Sequence, residues 1–263
     1  MLSKLLKYDL KYMIRNMSIF YILAFFFAIT TRILFSLDDT IIVKIISQIS
    51  VGCMFAMLAN ILINTMMRSW IRFRDSIYKD ESYLTHTLPV TKNDIYNSKF
   101  IQTLIFFILG FIIIVACLFI TYYTKDRWLL VKEFVRNITT GLDMNTWFFV
   151  LGMLLVVFLE IFNAIQCGFL GMIIGHRRNN GKIGYSVLFG FIAYIVSQSI
   201  VLLLIFVFGF FNSGIMALFR NEPLMDTSAL KILIILSSIL YIIMITIMSI
   251  VCKKVLSKGV NVE

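Results

Sequence analysis

The chain has 263 residues, of which 60% are hydrophobic and only 14% are charged, and its formal net charge is +10. A water-soluble domain of this length fills its core with far fewer apolar residues, so the composition argues against one. The apolar runs are continuous and lack the alternation of a membrane barrel, which favours helices in lipid. We therefore predict an all-α integral membrane protein, in agreement with a mean hydropathy of +0.93.

The first seventeen residues predict an amphipathic helix at the membrane interface. Leucine and methionine recur at helical spacing from Leu2 to Met17, while four basic residues line another face. Such a helix would lie along the inner membrane surface with its cations among the lipid headgroups. The alternative is a plain basic flank of the first span. The first apolar run lacks a small-residue cleavage site after it, so we do not predict a removable signal peptide.

Six stretches are long and apolar enough to cross a bilayer, which takes roughly 20 residues. They are Ser18–Leu37, Ile45–Met67, Phe100–Tyr122, Thr146–Ile174, Gly184–Phe211 and Leu230–Val251. The only prolines, Pro89 and Pro223, lie between these stretches, so proline breaks none of the predicted spans. We predict that residues 1–263 form a single transmembrane domain.

The distribution of Lys and Arg predicts that both termini lie in the cytoplasm. With the N-terminus inside, the inner segments hold 16 basic residues and the outer segments hold 5. Because basic residues concentrate on the cytoplasmic side of membrane proteins, this split favours an N-in, C-in topology. Residues 68–99 then form a cytoplasmic loop, and residues 123–145 and 212–228 lie outside. The positive charge follows from topology, and no nucleic-acid partner is needed to explain it.

The residue patterns of familiar catalytic and metal sites are missing from the sequence. There are two histidines, the four cysteines lie inside apolar runs without metal-binding spacing, and no span carries a paired carboxylate motif. The run Gly175–Lys182 is similar to a phosphate-binding loop, but five residues instead of four separate its glycines, and Ile183 replaces the required Ser or Thr. We predict no catalytic residue, no metal site and no ATP site in this chain, and thus no enzyme.

A few polar side chains recur at helical spacing inside two of the predicted spans. They are Asn60 and Asn64 in the second span, and Glu160, Asn163 and Gln166 in the fourth. A charge at the bilayer centre costs roughly 2.5–3.5 kcal/mol on insertion scales, so Glu160 must face protein or water. The polar residues either line a path for cargo or form hydrogen bonds between helices. Farther along the fourth span, Gly171 and Gly175 predict a close-packing face, against another helix of this chain or a second subunit.

The loop after the second span predicts a short helix, a stop and a second helix start. Pro89 prevents a helix that begins near Ser82 from continuing. Thr91, with Asp94 three residues later, is typical of the N-terminus of a helix, which here runs into the third span. Apolar side chains exposed on such a loop require a partner or the membrane to cover them.

Within this loop, the run ESYLTHTLPVTKNDIYNSKF resembles the cytoplasmic signature EGYLTFTLPVSRxxLxxSK of permease subunits in bacterial ABC-2 type exporters, a class of ATP-binding cassette transporters. The close match covers about twenty residues. Beyond it, the resemblance continues as architecture: a basic N-terminal helix, six spans and a large loop after the second. This sequence departs from the signature at His86, where an aromatic residue is commoner, and at Ser82, where glycine is usual.

The resemblance implies a transport mechanism. In this family the loop holds a coupling helix that docks on a separate ATPase subunit, and that subunit binds ATP and Mg. Carried over to this sequence, the docking residues are Tyr83, Leu84, Thr85, Leu88 and Pro89. The resemblance also implies a second permease chain, either a copy of this one or a paralogue, and a multi-pass location in the bacterial plasma membrane.

The expected function is export of an amphipathic or hydrophobic cargo, such as a peptide, a lipid or a drug-like molecule, with energy from ATP. The cargo class follows from the apolar, phenylalanine-rich spans. The alternative is a secondary transporter driven by an ion gradient, for which several intramembrane charges or broken, repeated helices are expected.

Overall fold

The computed structural model describes residues 2–37, 40–79, 81–87, 89–141, 145–220 and 227–259. These residues are almost entirely helical, and no strand occurs among them. Six of the helices are long and apolar enough to cross a membrane. The prediction of an all-α chain with six such helices is confirmed. The helices fall into two compact units, Met1–Leu129 and Leu130–Glu263.

The described part of unit 1 contains three long helices and one short one. They are α1 (Leu2–Leu34), α2 (Ile41–Ile77), α3 (Ser82–Thr87) and α4 (Lys92–Tyr122). The three long helices pack against one another, and their buried contact is made by small and apolar side chains: Ala24, Ala28, Met54, Leu58, Ile61, Ile113 and Cys117. Near the C-terminal end of α1, the Thr31 hydroxyl lies 2.8 Å from the Ser50 hydroxyl on α2.

The start of α1 differs from the sequence prediction. Residues 2–34 form one continuous helix, so the interfacial helix predicted for residues 1–17 is not a separate element. Met13 and Met17, which were expected to rest on lipid, are fully buried and pack with Phe106 of α4. The apolar face of the basic segment is therefore fully covered by protein at Met13 and Met17, and it is half-buried at Leu2, Leu5, Leu6 and Leu10.

The long helices of unit 1 are longer than a bilayer requires. At 1.5 Å per residue, the 33 residues of α1 span about 50 Å, compared with a hydrocarbon core of about 30 Å. Contacts among Asp9, Arg72 and Lys99 show that α1 begins, α2 ends and α4 begins at the same end of the unit. We call this end of unit 1 the loop end, because α3 lies there.

Within the described residues, unit 2 contains three long helices, one short helix and most of a further helix. They are α6 (Thr146–Gly175), α7 (Lys182–Gly209), α8 (Ser213–Phe219) and α9 (Thr227–Ser257), and they follow α5 (Lys125–Gly141), which crosses the boundary between the units. α6 packs against both α7 and α9, while α8 packs against α7 and α9. The rings of Phe206 and Phe219 meet edge to face at 5.1 Å between α7 and α8.

The backbones of α6 and α7 approach each other very closely. A Cβ atom added at Gly171 would lie 2.3 Å from the backbone nitrogen of Gly190, and one added at Gly175 would lie 2.4 Å from that of Ser186. Only glycine permits such an approach. The close-packing face predicted for Gly171 and Gly175 is confirmed, and the helix that it contacts is α7 of the same chain.

Candidate functional site

The short helix α3 lies between two well-defined helix ends. α2 ends at Ile77, and α4 begins at Lys92. The Thr91 hydroxyl accepts a hydrogen bond from the Asp94 backbone N–H at 3.1 Å and donates one to the Asp94 carboxylate at 2.8 Å. The first backbone N–H groups of a helix have no acceptor within the helix. The Thr91 hydroxyl accepts the hydrogen bond of one of them, that of Asp94, and so fixes the start of α4. The predicted short helix, stop and restart are confirmed.

Helix α3 presents two adjacent apolar side chains to the surroundings. Tyr83 is 70% exposed and Leu84 is 68% exposed. Thr85 is half-buried and donates its hydroxyl to the Glu81 carbonyl at 2.9 Å, while Pro89 is exposed. Leu88, the remaining docking residue predicted from the sequence, lies outside the described residues. Exposed apolar groups of this size on a loop helix are typical of a contact surface.

A buried ionic cluster lies next to α3 and is centred on Asp9 of α1, which is only 1% exposed. The Nε of Arg72 on α2 donates to Asp9 Oδ1 at 2.9 Å, and the Ser98 hydroxyl on α4 donates to Oδ2 at 2.6 Å. The Nζ of Lys99, also on α4, donates to Oδ1 as well. One carboxylate therefore joins all three long helices of unit 1.

Arg72 extends this cluster to the start of α3. Its Nη1 donates to both carboxylate oxygens of Glu81, at 2.7 and 2.6 Å, and its guanidinium lies over the ring of Tyr12, 4.8 Å from the centroid. The side chain of Glu81 is 49% exposed, whereas that of Arg72 is 10% exposed. The cluster of Asp9, Arg72, Glu81, Ser98 and Lys99 thus runs from the helix contact to the surface.

The charges within the cluster balance, because two carboxylates face one guanidinium and one ammonium. Removing charges from water costs several kcal/mol each, and this cost is offset only when the partners have good hydrogen-bond geometry. Removal of Asp9 would leave the buried ammonium of Lys99 without its carboxylate partner. The cluster is therefore expected to hold the three helix ends and α3 in one arrangement.

A small cavity of about 40 Å³ borders the cluster and is lined by Asp9, Arg72, Lys99, Ser98, Thr85, Ser76, Tyr8, Leu5 and Ile95. This volume suffices for an ordered water molecule. Pockets for organic ligands are typically about 300–1,000 Å³, so the cavity is too small for one. The geometry of this region suits a mechanical connection between α3 and the spans, and not a substrate pocket.

The sequence interpretation missed the central members of this cluster. It counted Arg72 and Lys99 only as cytoplasmic charges, and it passed over Asp9. The available signal was the register of Asp9, which precedes Met13 and Met17 by four and eight residues and so lies on the same helix face. An acidic residue on an otherwise apolar face indicates a buried basic partner.

The polar residues of the second predicted span bond within their own helix. The Nδ2 of Asn60 donates to the Ala56 carbonyl at 3.0 Å. The Nδ2 of Asn64 donates to the Asn60 carbonyl at 3.0 Å and to its Oδ1 at 3.2 Å. The side-chain amide groups of Asn60 and Asn64 therefore find their hydrogen-bond acceptors within α2 itself.

The polar residues of the fourth predicted span lie on α6 in unit 2. Asn163 and Gln166 are fully buried, whereas Glu160 is half-buried. The Nδ2 of Asn163 donates to the Ser197 hydroxyl of α7 at 2.8 Å. For Asn163 this is a hydrogen bond between helices, which is one of the two roles considered for these residues. A second such bond joins α9 to α7, from the Tyr241 hydroxyl to Gln198 Oε1 at 3.0 Å.

A scan against protein-family models, a search of curated proteins and a search of solved structures each find no match to this chain. Functional inference therefore depends on the chain's own residues and contacts.

Proposed function

We propose that the chain is the membrane-spanning permease subunit of an ABC exporter, and that a separate subunit hydrolyses the ATP. The observation that carries this proposal is the exposed apolar pair Tyr83 and Leu84 on a helix that is tied to three membrane helices. A docking helix has to do two things, which are to contact a soluble partner and to pass that partner's movement to the spans. Helix α3 and the ionic cluster have the geometry for both.

One connection from the start of α3 to the long helices passes through the guanidinium of Arg72. Arg72 contacts Glu81 at the start of α3 and Asp9 at the centre of the cluster. Asp9 in turn accepts hydrogen bonds from Ser98 and Lys99 of α4. A displacement of α3 would therefore be passed through Glu81 and Arg72 to Asp9, whose buried carboxylate contacts α2 and α4.

The N-in, C-in topology belongs to this proposal. It places α3 and the loop end of unit 1 in the cytoplasm, where ATP and a soluble ATPase are available. It also leaves α5 and α8 outside, in the segments 123–145 and 212–228. The basic residues near α3 and at the start of α1 agree with this orientation, since cytoplasmic flanks of membrane helices are rich in Lys and Arg.

The proposed complex contains two permease chains, identical or paralogous, together with ATPase subunits that hold ATP and Mg. ATP-driven closure of the ATPase subunits would move α3, and the membrane cavity between the permease chains would then open to the outside. The cargo is amphipathic or hydrophobic, and the site of action is a bacterial plasma membrane. This chain contributes no catalytic residue and no cofactor site of its own.

A secondary transporter is the second candidate, and Glu160 is the observation that favours it. Its carboxylate lies half-buried within a membrane-length helix, where ion-coupled transporters carry their coupling residues. Such a protein needs no ATPase partner, and the exposed surface of α3 would then have no assigned role.

The two candidates differ in what the chain binds. We expect the tagged full-length chain, purified from its native membrane in mild detergent, to retain an ABC ATPase in stoichiometric amount, which mass spectrometry would identify. The double variant Tyr83→Asp, Leu84→Asp should insert normally and lose the ATPase. The control Asn93→Asp adds a negative charge at an exposed position of α4 and should retain it.

Absence of any ATPase from a folded wild-type preparation would refute the exporter proposal and favour ion-coupled transport. Retention of the ATPase by the double variant would show that α3 is not the docking helix.

A further inference from the structure

One end of unit 2 is strongly basic. The turn between α6 and α7, the first residue of α7 and the C-terminal end of α9 meet there. Together they carry six basic residues, which we call the basic surface: Arg177, Arg178, Lys182, Lys253, Lys254 and Lys258. The side chains of Arg177, Arg178, Lys254 and Lys258 are exposed. No Asp or Glu occurs in residues 175–186 or 249–259, and the nearest in sequence, Glu263, lies outside the described residues.

Contacts in the structure hold the two parts of this surface together. The Nη2 of Arg177 donates to the Val255 carbonyl near the end of α9 at 2.8 Å. The guanidinium of Arg178 lies over the ring of Tyr185 on α7, 5.5 Å from its centroid. The turn is therefore held against α7 and α9. Its positive charges lie close to those at the end of α9 and add to them.

Exposed apolar side chains continue from the basic surface along the same helices. Ile183 and Val187 on α7 and Ile247 and Ile250 on α9 are all exposed, on helices long and apolar enough to cross a membrane. A ligand that binds here needs a negatively charged group beside the basic residues. It also needs an apolar part that contacts α7 and α9 one or two helical turns away from them. A phospholipid with an anionic headgroup has this form, whereas a nucleotide or a nucleic acid does not.

We propose that the basic surface is a binding site for anionic phospholipid, with the headgroup phosphate at Arg178, Lys254 and Lys258 and the acyl chains along α7 and α9. Clusters of four to eight basic residues next to membrane helices attract anionic lipid, at about 1 kcal/mol for each Lys or Arg. The arginine guanidinium adds paired hydrogen bonds to phosphate oxygens. This site lies within unit 2 and does not depend on an ATPase partner.

The proposal can be tested with the purified full-length chain in neutral detergent. Dioleoyl phosphatidylglycerol or dioleoyl phosphatidylcholine is titrated in, and native mass spectrometry measures the lipid retained per chain. We expect phosphatidylglycerol, which is anionic, to bind at least about tenfold more tightly than phosphatidylcholine. The triple variant Arg178→Gln, Lys254→Gln, Lys258→Gln should weaken its binding by about 100-fold, since each basic residue contributes about fivefold.

A matched triple variant separates a specific site from overall charge. Lys132→Gln, Arg136→Gln, Arg220→Gln removes the same number of positive charges from segments outside the basic surface. It should change the affinity for phosphatidylglycerol by less than about threefold. If the first triple variant fails to fold, the single variants Lys254→Gln and Lys258→Gln provide the test, each with an expected loss of about fivefold.

Four results would overturn the proposal. The first is equal affinity for the two lipids, and the second is equal loss in the two triple variants. The third is displacement of phosphatidylglycerol by glycerol phosphate at the same concentration as the lipid. This result would show that the surface binds a soluble phosphate compound instead of a lipid. The fourth is unchanged lipid affinity in the first triple variant with loss of a co-purifying protein, which would assign the surface to that protein.

Discussion

Asp9 and Lys99, which stand 90 positions apart in the sequence, form an ion pair whose side chains are 2% and 6% exposed. Surface ion pairs contribute little to stability, but a buried charge that loses its partner is strongly unfavourable. This pair therefore fixes the start of α1 against the start of α4, at the end of the unit where α3 lies.

Asp9→Asn should destabilise the protein, because it leaves Lys99 with no carboxylate in a buried place. We expect a loss of about 3–5 kcal/mol in the free energy of unfolding, measured by denaturant titration in detergent micelles. The control Asp75→Asn removes an acid from a pair with Arg74 whose side chains are 26% and 29% exposed, and it should cost at most about 1 kcal/mol.

The double variant Asp9→Leu, Lys99→Met removes both charges of the pair and leaves Arg72 with Glu81. It should be more stable than Asp9→Asn alone, since no buried charge is then unpaired. A loss below about 1 kcal/mol for Asp9→Asn would contradict the structural role of the cluster.

Glu81→Gln should loosen α3 without unfolding the unit. A helix of six residues is not stable by itself, so it depends on contacts such as that of Glu81 with Arg72. We expect faster amide hydrogen–deuterium exchange in residues 82–87, with a change below about 1 kcal/mol in global stability, because Glu81 is half-exposed. Glu133→Gln on α5 serves as the control and should leave this exchange unchanged. Equal exchange in Glu81→Gln and wild type would mean that other contacts hold α3.

Gly171→Ala should force α6 and α7 apart, because the added methyl group would overlap backbone atoms of Gly190. Overpacking of this kind typically costs about 1–3 kcal/mol, which thermal unfolding in detergent would detect as a lower midpoint. The control Gly184→Ala is also in this helix pair, but nothing lies within 4 Å of its added Cβ. Alanine has a higher helix propensity than glycine, so this control should be neutral or slightly stabilising. Similar losses in both variants would contradict close packing at Gly171.

The long apolar helices and the form of the loop after α2 could be predicted from local sequence. Hydropathy identifies the six long helices because each is a continuous apolar run. Pro89, Thr91 and Asp94 specify the end of α3 and the start of α4 through contacts within a few residues, so their effect is visible in the sequence itself.

The ionic cluster could not be predicted in the same way, because its members come from three separate helices and from the turn before α3. A count of basic residues treats Arg72 and Lys99 like any exposed cation, although burial and pairing with Asp9 give them a different role. The continuity of α1 was missed for a related reason. An amphipathic segment has the same pattern whether lipid or another helix covers its apolar face. The contact of Met13 and Met17 with Phe106 of α4 shows that a helix covers it here.

The ionic cluster also sets an order of events during biosynthesis. Lys99 is made 90 residues after Asp9, which takes about 5–20 s at the usual rate of translation. Throughout that interval the beginning of α1 lacks the ammonium and the serine hydroxyl that α4 supplies. The start of α1 therefore reaches its final packing only after the start of α4 has been synthesised.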